Sequence, residues 1–379
     1  MQDSKAVDYR FKILYAVGLI FVVSGHVYSY GGVSVLNDWF HPFGFHIALF
    51  AFSSGYFYNS LSEKSYLKYI VKKFKRLILP LYIYNIVYGL FVQATRLKGF
   101  EIGGDLTVYN LLVAPITNGH QFAYNMGGWF VIPLFMVEIF NVTIRKLSKA
   151  IYNNISEWVF FILSIGLGIA GNQLACTGHR SEWWIVLVRM LYFLPFYALG
   201  IIYKTKLEKL DKKIPSSVYL IVLFAIKLVI IYAYGKMPRY TPSWCDDFVD
   251  GPVMPVVIGI LGIALWMRIA NIVNPVIGKS KLINVIADNA YSIMINHIIG
   301  FMTVKAVYGL ISKFYAGFSD FDWAGFKTDI WWYYIPKNVG QMLILYTIAG
   351  LAFPILIQKG IDLTKKVFLS MGKRNAEKA

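Results

Sequence analysis

Charge is scarce in this chain. Only 15% of its 379 residues are Asp, Glu, Lys or Arg, where a soluble domain carries about a quarter. Acids are the scarcer sign, 20 against 37 bases, which leaves a formal net charge of +17. Cysteine occurs only as Cys176 and Cys245; both fall in expected outer loops, where they either pair, if that side is oxidising, or remain two thiols. No glycine-rich phosphate loop precedes a helix, and there is neither an HExxH nor a metal-spaced Cys/His cluster, so no metal site is expected. The chain also lacks internal repeats and the inverted pairs of interrupted short helices found in many secondary transporters.

Apolar sequence is what the chain has instead. Hydrophobic residues make up 57% of it and its mean hydropathy is +0.55. Spanning a bilayer as helix takes about 20 apolar residues. Ten segments qualify, near 11–30, 42–61, 77–94, 127–144, 157–175, 184–203, 216–235, 252–270, 284–311 and 338–358. No long soluble stretch separates them. The expected fold is therefore an all-α integral membrane protein of about ten transmembrane helices, one membrane-embedded domain over 1–379 with no separate soluble domain. The first segment, flanked by Lys5, Arg10 and Lys12, is too long for a signal peptide and has no convincing small-residue cleavage site after it, so it reads as a retained helix.

The basic excess has an address. With the N-terminus in the cytoplasm and the segments alternating, most of the Lys and Arg fall on the cytoplasmic side, as in "KTKLEKLDKKIP" at 204–215. The outer loops hold acids such as Asp246, Asp250, Asp320 and Asp322. This is the positive-inside pattern, with both termini inside. The charge serves topology and anionic headgroups rather than nucleic acid. Three outer loops, 95–126, 236–251 and 312–337, are longer and rich in aromatics, as in "YTPSWCDDFVDG". Those side chains are either interfacial anchors or, with the carboxylates, a surface for sugars.

Ionisable residues inside a bilayer are functional candidates by default. Here they are His26, His46, Glu138, Arg189, Lys227, Asp288, His297 and Lys305. By depth, His26, His46, His297 and Arg189 can line one central polar cavity between the midplane and the outer surface. Structural alternatives stand beside this: Lys227 and Lys305 snorkel or pair, Glu138 and Arg189 form an ion pair, and His46 bonds a neighbouring carbonyl. His26 is the strongest candidate, because imidazole titrates near neutral pH and Gly25 beside it permits close approach. On a helix, Tyr15 lies within about 20° of His26 three turns below, and Lys12 about 40° from that line. Arg10 is on the opposite face. Segment 1 thus presents one polar stripe from the cytoplasmic mouth to His26.

Five stretches together resemble the acyltransferase-3 family of membrane acyltransferases. "AVGLIFVVSGH" is similar to that family's first helix, which ends in a functional histidine, here His26. "FHIALFAFSSGYF" resembles its Phe-His and Ser-Gly-Tyr pattern, and "KKFKRLILPLY" its basic turn, with Lys73 and Arg76 at the Arg-x-x-Arg spacing. "GGWFVIPLF" resembles its Trp-Phe-Leu-Pro motif, and "ADNAYSIMINH" its late motif ending in histidine. The family usually carries a basic residue where Tyr15 stands; Lys12 is the candidate substitute. The late motif's serine is Ala290 here.

The resemblance implies an O-acyltransferase of the cell (cytoplasmic) membrane. It would move an acyl group, most often acetyl, from cytoplasmic acyl-CoA to a hydroxyl of a cell-surface or lipid-linked sugar. His26 is the expected base, or the acyl acceptor of a two-step transfer, with His46, His297 and Arg189 as the other catalytic candidates. Lys12, Tyr15, Lys73 and Arg76 are the donor-binding candidates, and Trp129 and Glu138 the acceptor-side ones. Asp288, nine residues from His297, lies on the other face of segment 9 and does not orient it. The competing classes are a transporter or flippase for a glycan or lipid-linked intermediate, with the histidines as proton relays, and a non-catalytic membrane partner. The bilayer, acyl-CoA and a sugar acceptor are the expected partners, and an oligomer is compatible with all three classes.

Overall fold

A computed structural model describes residues 7–30, 42–151, 155–246 and 248–376. At 29, 30, 42, 368, 369 and 371–376 it describes the backbone alone. The long apolar runs become helices because a backbone in hydrocarbon must bond to itself, and no strand forms among the described residues. The helices are α1 (Tyr9–Tyr30), α2 (Ala48–Tyr56), α3 (Tyr66–Arg96), α4 (Met126–Ile151), α5 (Glu157–Cys176) and α6 (Glu182–Asp211). They continue as α7 (Ser216–Tyr234), α8 (Met254–Ile277), the short α9 (Lys281–Asp288), α10 (Ala290–Ser312) and α11 (Leu343–Ala376).

Nine helices among the described residues are long and apolar enough to cross a membrane, where the sequence suggested ten. The exception is 42–61. Its helix has nine residues, because Pro42–Gly44 forms a 3₁₀ turn ahead of it and Phe57 ends it. The segment still runs antiparallel along α1. Phe43 packs at Gly25, Phe45 at Phe21, Phe50 at Tyr15 and Phe52 at Phe11. Segment 9 also differs: Asn289 leaves helical geometry and splits it into α9 and α10.

The bundle is built around α6. Its sequence is apolar on every side, as a helix with no solvent face should be, and 94% of its most apolar window is buried against 17% for α7. Backbones touch where small residues allow it. A Cβ at Gly55 of α2 would stand 1.9 Å from the Tyr197 carbonyl oxygen, and one at Gly200 of α6 2.0 Å from that of Phe52. The start of α1 and the end of α11 lie at the same end of the bundle, with the lysine-rich turns; this is the basic end. The long aromatic connections gather at the other, the loop end.

Candidate active site

A cavity of about 270 Å³ opens at the loop end. Its floor is made by Val22 and His26 of α1, His46, Met294 of α10, and Met126, Gly127 and Trp129 from the first turn of α4. Its walls come from three loops, through Asn118 and His120, Tyr240 to Trp244, and Trp331.

His26 stacks with two flat rings. The His297 imidazole is parallel to it within 12° at 5.2 Å between centroids, and the Trp331 indole within 26°, also at 5.2 Å. The hydrogen bonds of His297 fix its proton. Its Nδ1 lies 3.0 Å from the carbonyl oxygens of both Ile293 and Met294. Carbonyls only accept, so Nδ1 donates, and a second proton on Nε2 would be a buried donor with no acceptor among the described residues. Nε2 therefore offers a lone pair. His46 is buried and reaches the same cavity, with Phe43 packed between the His26 and His46 rings at 6.2 and 5.4 Å.

Glycines make this assembly possible. A Cβ at Gly127 would stand 1.9 Å from the Met294 carbonyl oxygen and 3.2 Å from Cε1 of His297. Only glycine lets the start of α4 rest on α10 at the histidine. At Gly25 a Cβ would meet the Phe43 ring at 2.7 Å, so the close approach that this glycine permits is used by Phe43.

Arg189 lies behind the cavity rather than in its lining. Its guanidinium donates to the carbonyls of Asn118, at 3.0 Å, and Ser243, and its carbon stands 5.1 Å from the Trp129 ring centre. It joins two of the wall loops from below. His120, between α3 and α4, stacks on Trp244 at 4.1 Å. Its Nδ1 donates to both oxygens of Asn118, at 3.0 Å for the backbone and 3.2 Å for the side chain. Burial first, then the positive charge of Arg189, lowers the His120 pKa to about 3, so its ring is neutral at ordinary pH. His120, Trp244, Tyr240 and Trp331 were not singled out from the sequence. Their signal was the aromatic richness of the loops, which does not say which ring turns inward.

A second cluster lies at the basic end. Lys73 donates to the buried Glu138 carboxylate at 2.5 Å, and Ser54 Oγ donates to the same oxygen at 2.5 Å. Arg76 sits one turn on, exposed, in a π-helical turn, Phe74–Ile78, that interrupts α3; such turns recur at functional sites. It is near enough to Tyr15 for its positive charge to act on that hydroxyl. Tyr15 packs edge-on against Phe50 at 5.4 Å, and Phe50 in turn against Phe130 at 5.6 Å. Lys12 pairs with Asp288, the last residue of α9.

Two expectations are corrected here. Glu138 does not join Trp129 on the acceptor side; nine residues along α4 carry it roughly 13 Å towards the basic end, where Lys73 and Ser54 hold it. Nor do Glu138 and Arg189 pair, since each is bound to other partners. Of the remaining candidates, His26, His46, His297 and Trp129 come together at one end, and Lys12, Tyr15, Lys73 and Arg76 gather at the other. Asp288 serves Lys12 and leaves His297 to backbone carbonyls. Both cysteines are free; burial raises the Cys245 thiol pKa to about 12.

No curated protein and no solved structure matches the chain. The profile of the acyltransferase domain family matches residues 8–359, a stretch that contains both clusters. A helical membrane bundle with this match belongs to the acyltransferase-3 family of membrane acyltransferases.

Proposed function

We propose that the protein transfers an acyl group, most simply acetyl, from acyl-CoA at the basic end to a hydroxyl of a cell-surface or lipid-linked sugar entering at the loop end. The observation that carries the reading is the separation of two chemistries on one helix. Lys12 and Tyr15 stand at one end of α1 beside Lys73 and Arg76, and His26 lies roughly 20 Å further along at the cavity floor. Lysine enrichment supports placing the basic end on the cytoplasmic side of the cell membrane, and the domain is taken to be the whole of 1–379.

Lys12, Lys73 and Arg76 hold the donor's phosphates, and Tyr15 lies on the way past Phe50 to the cavity. His26 takes the hydroxyl proton as the oxygen attacks the thioester carbonyl. The C–O bond forms, the C–S bond breaks, and the thiolate recovers the proton from the imidazolium. A positioned histidine supplies a factor of about 10²–10⁴ in such a step. His297 and His46 orient the base and the acceptor. Arg189 acts through the loops that it ties together. Trp129, Trp244 and Trp331 give flat apolar faces suited to a sugar ring.

The test uses purified protein in nanodiscs, wild type beside His26→Ala, with radiolabelled acetyl-CoA and mixed cell-surface glycans. The expected result is acyl-CoA-dependent labelling that falls by about 10²–10⁴ in the variant, with unchanged melting. Full activity in His26→Ala, or no turnover of any acyl-CoA by the wild type, would remove the reading.

A further inference from the structure

Lys305 is fully buried in α10 and has no part in the reading above. Its ammonium donates to the Ile330 carbonyl at 2.7 Å and lies 4.7 Å from the Tyr333 ring centre. Both partners belong to an irregular stretch, 329–335, between the last short helix of the loop and α11. The same stretch carries Trp331, stacked on His26, and Tyr333, whose hydroxyl donates to the His26 carbonyl at 3.4 Å. Its two ends are also tied. The Trp331 backbone N–H donates to the Asp329 carboxylate at 2.8 Å, and the Tyr346 hydroxyl donates to the Tyr334 carbonyl at 2.9 Å.

A buried ammonium in a membrane span is costly and marks a task. The plane of the His26 ring is matched by two near-parallel neighbours, His297 and Trp331.

We propose that Lys305 is a positioning residue for His26. It fixes Ile330 and Tyr333, so that Trp331 lies flat on the imidazole and the ring meets the cavity by its edge. The catalytic consequence rests on His26 being the base; the positioning itself does not.

The experiment compares wild type, Lys305→Met, Lys305→Arg and Trp331→Ala in nanodiscs. Lys227→Met, which removes a buried lysine of α7, controls for the loss of an intramembrane charge. One readout needs no substrate: the rate at which diethyl pyrocarbonate carbethoxylates His26, followed by peptide mass spectrometry. The other is kcat and KM with acetyl-CoA. Lys305→Met and Trp331→Ala are expected to raise the His26 labelling rate severalfold, with Lys305→Arg and Lys227→Met near wild type. Their kcat should fall on the order of 10²-fold with KM for acetyl-CoA little changed. Unchanged His26 labelling in both Lys305→Met and Trp331→Ala, or an equal rise in Lys227→Met, would overturn the proposal. Raised labelling in a protein whose wild type turns over no acyl-CoA would uphold the positioning and sink the assignment of His26 as base.

Discussion

The two ends of the bundle handle polarity in opposite ways. At the basic end charges are paired: Lys12 with Asp288, Lys73 with Glu138, Arg10 with Glu208, Arg145 with Glu157 and Arg268 with Asp211. At the loop end the ion pairs among the described residues, Arg96 with Asp105 and Arg180 with Asp246, lie at the exposed rim. The titratable groups of the cavity there include three imidazoles, and two of them, His26 and His120, are stacked on other rings. Ion pairs fix charge in place and suit the holding of a charged donor. A neutral imidazole with a free lone pair suits the moving of a proton. The difference divides labour: substitutions at the loop end should change kcat, and those at the basic end should change donor affinity or stability.

The largest effect expected from a single methyl group is at Gly127. An alanine there forces the Met294 carbonyl, and with it a hydrogen bond that orients His297, to shift. A displacement of about 1 Å at a reacting centre costs on the order of 10² in rate. Gly127→Ala should therefore lower kcat by about that factor while KM for the acyl donor stays within error. Steady-state kinetics in nanodiscs read both. A raised KM with intact kcat would join the two ends into one site and break the comparison.

At the basic end the expected effect is on stability. Glu138 is 1% exposed, and removing Lys73 leaves its carboxylate buried without its cation, a loss of about 3–5 kcal/mol in comparable cases. Lys73→Met should lower the melting temperature in detergent, and adding Glu138→Gln should restore most of it, because a neutral amide still accepts from Ser54. A double variant no more stable than Lys73→Met would show that the pair is not what holds α3 to α4.

How much of this was legible beforehand follows from how local each feature is. Nine passes could be read because hydropathy over about 20 residues is a property of the run itself. Segment 42–61 reads as a tenth, but its helix is short because Pro42–Gly44 forms a 3₁₀ turn inside the apolar run, although the segment still lies along α1. The stripe of Lys12, Tyr15 and His26 was local too, being set by 100° per residue. The stacking of His26 on His297 joins residues 271 positions apart, and the partner of Glu138 lies on another helix; a periodicity carries no information about either. His120, Trp244 and Trp331 come from irregular loops, where neither period applies. Lys305 was read as snorkelling or paired. Its partner is a backbone carbonyl, which every residue has and no sequence singles out.

The smallest effect tests how dry the loop end is. The His120 pKa is lowered to about 3 by burial and by Arg189, and in the unfolded chain it returns to about 6.5. Between those values the unfolded state binds a proton that the folded state refuses, so folding stability rises with pH across the window. The contribution is complete above pH about 6.5 and is lost progressively as pH falls towards 3. His120→Gln keeps a polar side chain beside Asn118 but cannot titrate. Its melting temperature should fall less than that of the wild type between pH 6.5 and 4.5, with the two curves parallel above neutrality. Equal acid sensitivity would mean that His120 protonates in the folded protein much as it does in water. The cavity wall would then be wet, and the contrast between a basic end held by ion pairs and a cavity walled by a neutral His120 would shrink to the stacked rings around His26.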